Sequence, residues 1–435
     1  MTVTKFAGAA LSTAALCVLT ALPAVAQPIS GLSTPSTAAG ERASGLDLPG
    51  DLLEPDTGVR PTGAPTTSPA PTIPAPTTSA PATSTSAAEE QDAPGEGEIE
   101  ARYSALPREV KNALGNPLGD EEVESEELRW REYEHARFYW TPDTGVHIVF
   151  GGILDRFVAR GGHDVLGVPT TDEEVDRSGA RYTEFVSLDG AKTESAIYFT
   201  AGTGAHLLRG PILEKWAELG AGEVLGYPIT DTTSTPDELG AYNHFSRPGG
   251  ASIYLTRDNE THVVQGAIRD KWAESGWEAG PLGYPTTDEL TAADGRGRYA
   301  RFDGDGKFGA GIAWSPETGA HSVRGAIGDR YVEFGGPNGL LGYPTTDELS
   351  APDGRGRYGH FTGTGGASIY WSPSTGAVEI YGGIRARWAQ LGWERSYLGY
   401  PVRGEHDVPL GRSTEFELGF IDWHRDTGEF FDFPK

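Results

Sequence analysis

Four histidines, His147, His206, His262 and His321, recur at one position of a long internal repeat. Imidazoles spaced in this way could line a common channel, where they would hold a metal ion or sense pH. A second polar set recurs nearby: Asp172, Asp231, Asp288 and Asp347, with Glu173, Glu289 and Glu348, beside Tyr227, Tyr284, Tyr343 and Tyr400. Carboxylates accept sugar hydroxyls and phenol rings stack on pyranose or furanose faces, so these four tyrosines and four aspartates are candidate glycan-binding residues. Each set also has a plainer use. Val378 and Phe430 take the histidine position in two further copies, which favours histidines that begin strands and bond a neighbour's backbone. Asp after Thr-Thr serves turns and caps, and Tyr before Pro fills a core. A repeat requires invariant packing residues, so the structural use is the favoured one.

Little else in the sequence points to chemistry. Asp303-Gly304-Asp305-Gly306 has the look of a calcium loop, but it occurs once and lacks the glutamate that closes an EF-type loop, which favours a hairpin turn. There is no Gly-x-Ser-x-Gly elbow, His-Glu-x-x-His helix, phosphate loop or dinucleotide fingerprint. The sequence therefore predicts a non-catalytic protein with no catalytic residues, no metal and no cofactor.

The elements that would position these residues follow from composition and period. The 435 residues include 60 Gly and 31 Pro, and only 37% are hydrophobic. The net charge of −27 comes without a Lys/Arg cluster, which argues against nucleic acid and anionic membranes as partners. Residues 1–26 read as a secretory leader: Lys5, an apolar run from Phe6 to Leu22, then Ala24-Val25-Ala26. The run is too polar and too short for a stable membrane anchor. The one cysteine, Cys17, lies inside it after Leu16, a poor context for lipidation. Residues 27–96 show no apolar period, and Pro61 to Ala87 hold seven Pro and twelve Ser or Thr without a charge. Such a segment cannot bury enough apolar surface to order itself and reads as a disordered tether. The mildly apolar stretch from Leu46 to Leu53 is read as part of it.

From Gly97 a unit of 54 to 59 residues repeats six times, dividing the chain into 97–150, 151–209, 210–265, 266–324, 325–381 and 382–435. Ile and an aromatic at i and i+4, as in Ile268 and Trp272, predict a short amphipathic helix, ended by Gly220, Gly276, Gly335 or Gly392 in the left-handed conformation. A Leu-Gly-x-Pro step follows at Leu114, Leu166, Leu225, Leu282, Leu341 and Leu398, where Gly and Pro turn the chain out of the helix. Runs such as Arg298-Tyr299 to Phe302 and Ile312 to Trp314 predict a hairpin, and His321 opens a third strand. The expected fold is a mainly β repeat protein with one helix per copy. Copies this small must cover one another, and a closed propeller-like ring of six, or five plus a clasp, does so without free ends.

Leu282-Gly283-Tyr284-Pro285-Thr286-Thr287-Asp288-Glu289, Tyr299 to Phe302, Ile312 to Trp314 and Gly319-Ala320-His321 together resemble LGFP repeats, with Tyr for the family's Phe. The resemblance covers 97–435. It implies an exported protein of the envelope of mycolic-acid-bearing actinobacteria, bound to arabinogalactan or peptidoglycan, with no active site in the repeat. With 32 basic against 53 acidic residues, net −21, the repeat domain suits a neutral glycan better than a polyanion. The alternatives are a scaffold that docks a wall enzyme and, more remotely, a wall hydrolase.

Overall fold

The computed structural model describes residues 95–435. The leader, Cys17 and the tether through residue 94 lie outside the described residues. Six main helices, Glu98–Ala105, Gly151–Ala159, Pro211–Glu218, Gly266–Glu274, Gly325–Glu333 and Gly382–Leu391, alternate with six antiparallel sheets, and the first three copies each add a second short helix to the one expected, Arg108–Leu114, Gly162–Leu166 and Ala221–Leu225. Each main helix turns one narrow stripe inward: Ile99, Ile153, Ile212, Ile268, Ile327 and Ile384 are at most 2% exposed. The aromatic one turn later, Phe157, Trp216, Trp272, Tyr331 or Trp388, is equally covered. Gly220, Gly276, Gly335 and Gly392 stop the helices at φ between 90° and 105°. None of the helices among the described residues is long and apolar enough to cross a membrane.

The Leu-Gly-x-Pro step works by close approach. Gly167 sits at φ 79°, and a Cβ there would lie 1.8 Å from the carbonyl oxygen of Val186, so no other residue fits. The leucine before each such glycine is buried to 2% exposure or less.

The sheets carry one strand more than the hairpin-plus-one expected. Five have four strands in sequence order and the sheet of the second copy has five. In the third to fifth copies the addition is a two-residue strand, as at Leu290–Thr291 and Leu349–Ser350, paired with the strand that starts at Arg298 or Arg357, whereas in the first and last copies it is longer, Glu122–Ser125 and Pro401–Val408. Two residues carry no readable alternation, which is why the step looks like a turn alone.

The core is shared between copies. Leu128, Tyr139 and Val149 of the first copy pack with Ile153, Phe157, Leu166 and Phe185 of the second. Tyr254 and Val264 do the same with Trp272, Leu282 and Phe302, as do Tyr370 and Ile380 with Trp388, Leu398 and Phe416. From the second copy on, each main helix thus roofs its own sheet and the one before it, whereas the first copy also holds a core of its own, with Ile99, Leu114, Tyr133 and Phe138 buried together.

Candidate functional site

The four candidate aspartates lie in the joints between copies. One oxygen of Asp172, Asp231, Asp288 and Asp347 accepts the backbone N–H of Ile148, Leu207, Val263 and Ser322 at 2.8 to 2.9 Å, each in the last strand of the preceding copy. The other oxygen meets a cation from the preceding helix: Arg102 at 2.8 Å, Arg156 at 3.0 Å with Arg160 beside it, Lys215 at 2.7 Å and Lys271 at 2.6 Å. The Asp231 side chain is 1% exposed. Burial pushes its carboxyl up, but His206, the Leu207 N–H and the two arginines outweigh burial and hold it down at about 2. Asp288 is likewise held at about 2 against burial, by His262, Lys215 and the Val263 N–H.

The tyrosines join the same neighbours from the other side. Tyr227, Tyr284, Tyr343 and Tyr400 donate their hydroxyls to Asp176, Asp237, Asp294 and Asp353, each in a turn of the preceding copy. Tyr284 is 4%, Tyr343 9% and Tyr400 0% exposed, whereas Tyr227 is half-buried. The rings of Tyr284, Tyr343 and Tyr400 offer almost no face on which a sugar could stack, and all four tyrosines rivet neighbouring copies together.

Each histidine of the recurring set faces its own joint. Nδ1 of His147, His206, His262 and His321 lies 3.4 to 3.7 Å from the joint aspartate. Nε2 of His206 and His321 bonds the carbonyl of Thr203 and Thr318, three residues back in the same turn rather than in a neighbouring copy. In the Asp303 loop, Asp303 accepts the Tyr284 N–H at 2.7 Å and pairs with Arg257, which is turn chemistry. Among the described residues, Glu124, His163 and Asp164 bring three ligand atoms within 4.8 Å. His163 is already bonded there to Glu124 at 2.8 Å and to the Tyr139 hydroxyl at 3.3 Å.

A different constellation recurs, partly exposed in the later copies and covered in the first, where Arg129 and Trp140 are buried, and only the folded chain assembles it. Glu121 pairs with Arg129, Glu173 with Arg181, Glu289 with Arg298, Glu348 with Arg357 and Glu405 with Arg412. Directly across the sheet from these arginines stand Trp140, Phe199, Trp314, Trp371 and Trp423. The third copy has Ala241 opposite Leu255 instead. Around Glu289, Arg298 and Trp314 the surface opens into a cleft of about 320 Å³, lined also by Gly266, Ala267 and Ile268. Around Glu348, Arg357 and Trp371 the matching cleft holds about 190 Å³.

The charges within these clefts are unequally covered. The Glu289 side chain is 6% exposed and that of Arg298 40%. Burial raises the Glu289 carboxyl above its ordinary range and Arg298 opposes the rise. Its Oε2 is buried and has no hydrogen-bond partner of ordinary geometry, with the nearby Gln265 N–H helping Arg298 to oppose the rise. A half-buried indole, an exposed guanidinium and an acceptor short of a donor are the complement of a ring that carries hydroxyl groups.

Comparison with known proteins fits the repeat but not a particular activity. No curated protein matches the chain. Solved structures align only loosely. A candidate 6-phosphogluconolactonase from Bacteroides uniformis is 14% identical over 71% of this chain and 82% of its own, with a TM-score of 0.11. The extracellular domain of a candidate one-component system from B. thetaiotaomicron is 12% identical over 73% and 36%, at 0.13. BamB from Moraxella catarrhalis is 10% identical over 74% and 78%, at 0.11. TM-scores this low carry no argument about fold or activity. The LGFP repeat model matches residues 114–164, 166–223, 225–280, 282–339 and 341–396, well over half of the sequence, and the chain belongs to the LGFP repeat family.

Proposed function

We propose that this protein is an exported, non-catalytic component of the cell envelope whose repeats hold neutral wall polysaccharide, arabinogalactan or the peptidoglycan joined to it. The observation that carries the reading is the Glu–Arg–aromatic triplet, which recurs in five copies with a buried carboxylate oxygen short of a donor in the cleft of the fourth. In this reading the indole takes the apolar face of a sugar, and the carboxylate and guanidinium take neighbouring hydroxyls. Several weak, equivalent sites on one chain give retention through multivalency. Closure of the six copies into a propeller-like ring belongs to the same proposal. It is supported by the repetition of one joint chemistry from copy to copy, in which Asp172, Asp231, Asp288 and Asp347 each clasp the copy before.

The test is retention of the full mature chain on isolated wall, with and without its arabinogalactan, for the wild type and for Trp314→Ala combined with Trp371→Ala. Loss of retention in the double variant with an unchanged circular dichroism spectrum is the expected result. Equal retention of both proteins would remove the triplets from the function. Retention that survives removal of the glycan but not of wall proteins would favour a docked enzyme instead.

A further inference from the structure

Two joints contain a filled ring stack that a third leaves open. Between the third and fourth copies, Tyr242 stacks on Tyr254 at 5.1 Å and Tyr254 on Trp277 at 6.4 Å, with the Arg269 guanidinium 5.0 Å from the Trp277 ring. Between the fifth and sixth, Tyr358, Tyr370 and Trp393 repeat the stack at 5.0 and 6.0 Å, with Arg385 again 5.0 Å away. The arginine in each case donates to a serine, Ser252 or Ser368, at 2.6 Å. Trp277 and Trp393 adopt φ of 56° and 59°, a left-handed conformation that costs a non-glycine residue about 1–2 kcal/mol. The fold accepts strain to bring an indole to this spot.

Between the fourth and fifth copies the same positions are stripped. Ala313 stands opposite His321 as Tyr254 stands opposite His262, and Gly336 takes the place and the backbone conformation of the tryptophans, at φ 59°. Gly311 replaces the serine and Gly328 the arginine, while Tyr299, the base of the stack, remains opposite Ala313. Neighbours have not closed in: a Cβ on Gly336 would meet only the Tyr331 ring, at 3.9 Å. The result is a hollow with a cavity volume of about 70 Å³, open to solvent on one side and lined by Tyr299, Phe308, Val323, Tyr331 and Val332. The loop bearing Phe308 is two residues longer than its counterparts in the two filled joints, and the Asp329 carboxylate pins it by accepting the N–H groups of Lys307 and Phe308 at 2.9 and 2.8 Å. Arg301, where the filled joints carry His244 and His360, lines the pocket and forms no side-chain hydrogen bond or ion pair among the described residues.

We propose that this joint is a binding pocket for a planar aromatic ring bearing a carboxylate, which lies on Tyr299 in the slot that tyrosine and tryptophan fill elsewhere and pairs with Arg301. The missing side chains define the shape, and the unpaired guanidinium defines the charge. The pocket shares no lining residue with the two triplet clefts, so this inference stands apart from the glycan reading.

The experiment is ligand-observed saturation-transfer NMR on the full mature chain with three probes: indole-3-acetate, uncharged indole and cyclohexaneacetate. Indole-3-acetate should bind, with nuclear Overhauser contacts to the Tyr299 ring, indole about tenfold more weakly, and cyclohexaneacetate not measurably. Arg301→Gln should bring indole-3-acetate down to the level of indole. Gly336→Trp, which a neighbouring copy already accepts in that conformation, and Ala313→Tyr should each abolish binding. No transfer to any probe at millimolar concentration would overturn the proposal, as would binding that persists in both filled variants or equal binding of cyclohexaneacetate. Should neither filled variant fold, absence of the Tyr299 contacts in the wild type overturns it equally.

Discussion

Asp288 and Glu289 are adjacent in sequence and meet opposite fates. Asp288 enters a joint, where a backbone N–H and Lys215 saturate both oxygens and hold its carboxyl at about 2. Glu289 turns to the next cleft, where burial raises its carboxyl and one oxygen is left without a donor of ordinary geometry. Both residues recur with the same period, so periodicity cannot separate a packing residue from a binding one. Saturation of hydrogen-bonding capacity does.

The contrast is most strongly tested at the joint. Asp231→Ala leaves Arg156, Arg160 and the Leu207 N–H without their acceptor and should destabilise the repeat domain by about 3 kcal/mol in urea unfolding. Acid should act on the same residues. Asp231 and Asp288 have folded values below those of an unfolded aspartate, so their contribution is present above about pH 4 and lost as pH falls towards 2. His244 and His360 add an earlier phase. Burial, with Arg269 and Arg385 nearby, depresses both to about 4, so the unfolded chain takes up protons first and stability falls between about pH 6.5 and 4. A thermal-unfolding series from about pH 7 to 2 should show both steps, and a melting temperature flat down to about pH 4 would contradict the histidine part.

Smaller effects should follow from the rivets and the clefts. Tyr400→Phe removes one buried hydroxyl bond to Asp353 and should cost about 1 kcal/mol, read by the same unfolding assay. Glu289→Gln should change stability by less than about 1 kcal/mol, because its partner Arg298 keeps 40% of its side chain in solvent and the amide still accepts a hydrogen bond. A loss as large as that of Asp231→Ala would make Glu289 one more packing residue.

What the sequence reveals and what it hides divides by distance along the chain. The Ile–aromatic helix, its glycine stop and the Leu-Gly-x-Pro turn are legible because their causes lie within a few residues. The shared core is not, since Tyr139 and Phe157 meet only after the second main helix folds back over the first sheet. The rivets are hidden for the same reason: Tyr284 and Asp237 are 47 positions apart. The triplets are masked by hairpin loops of unequal length, which separate Arg129 from Trp140 and Arg181 from Phe199 by different intervals while the sheet register sets both pairs face to face. Arg298-Tyr299 and Arg357-Tyr358 are visible as strand starts, but nothing local marks the arginine as half of a cleft. Tyr before Pro is conspicuous in the sequence and suggests a sugar platform, whereas it is Trp314 and Trp371, half-buried across from arginine, that line the clefts.

The central claim is that the triplets, and not the joints, meet the glycan. Isothermal titration of the full mature chain with soluble arabinogalactan tests it, comparing the wild type, Arg298→Gln combined with Arg357→Gln, and Tyr400→Phe. The account predicts heat of binding for the wild type and for Tyr400→Phe, and a loss of at least tenfold in affinity for the arginine double variant. Undiminished binding by the double variant, or loss confined to Tyr400→Phe, would contradict it.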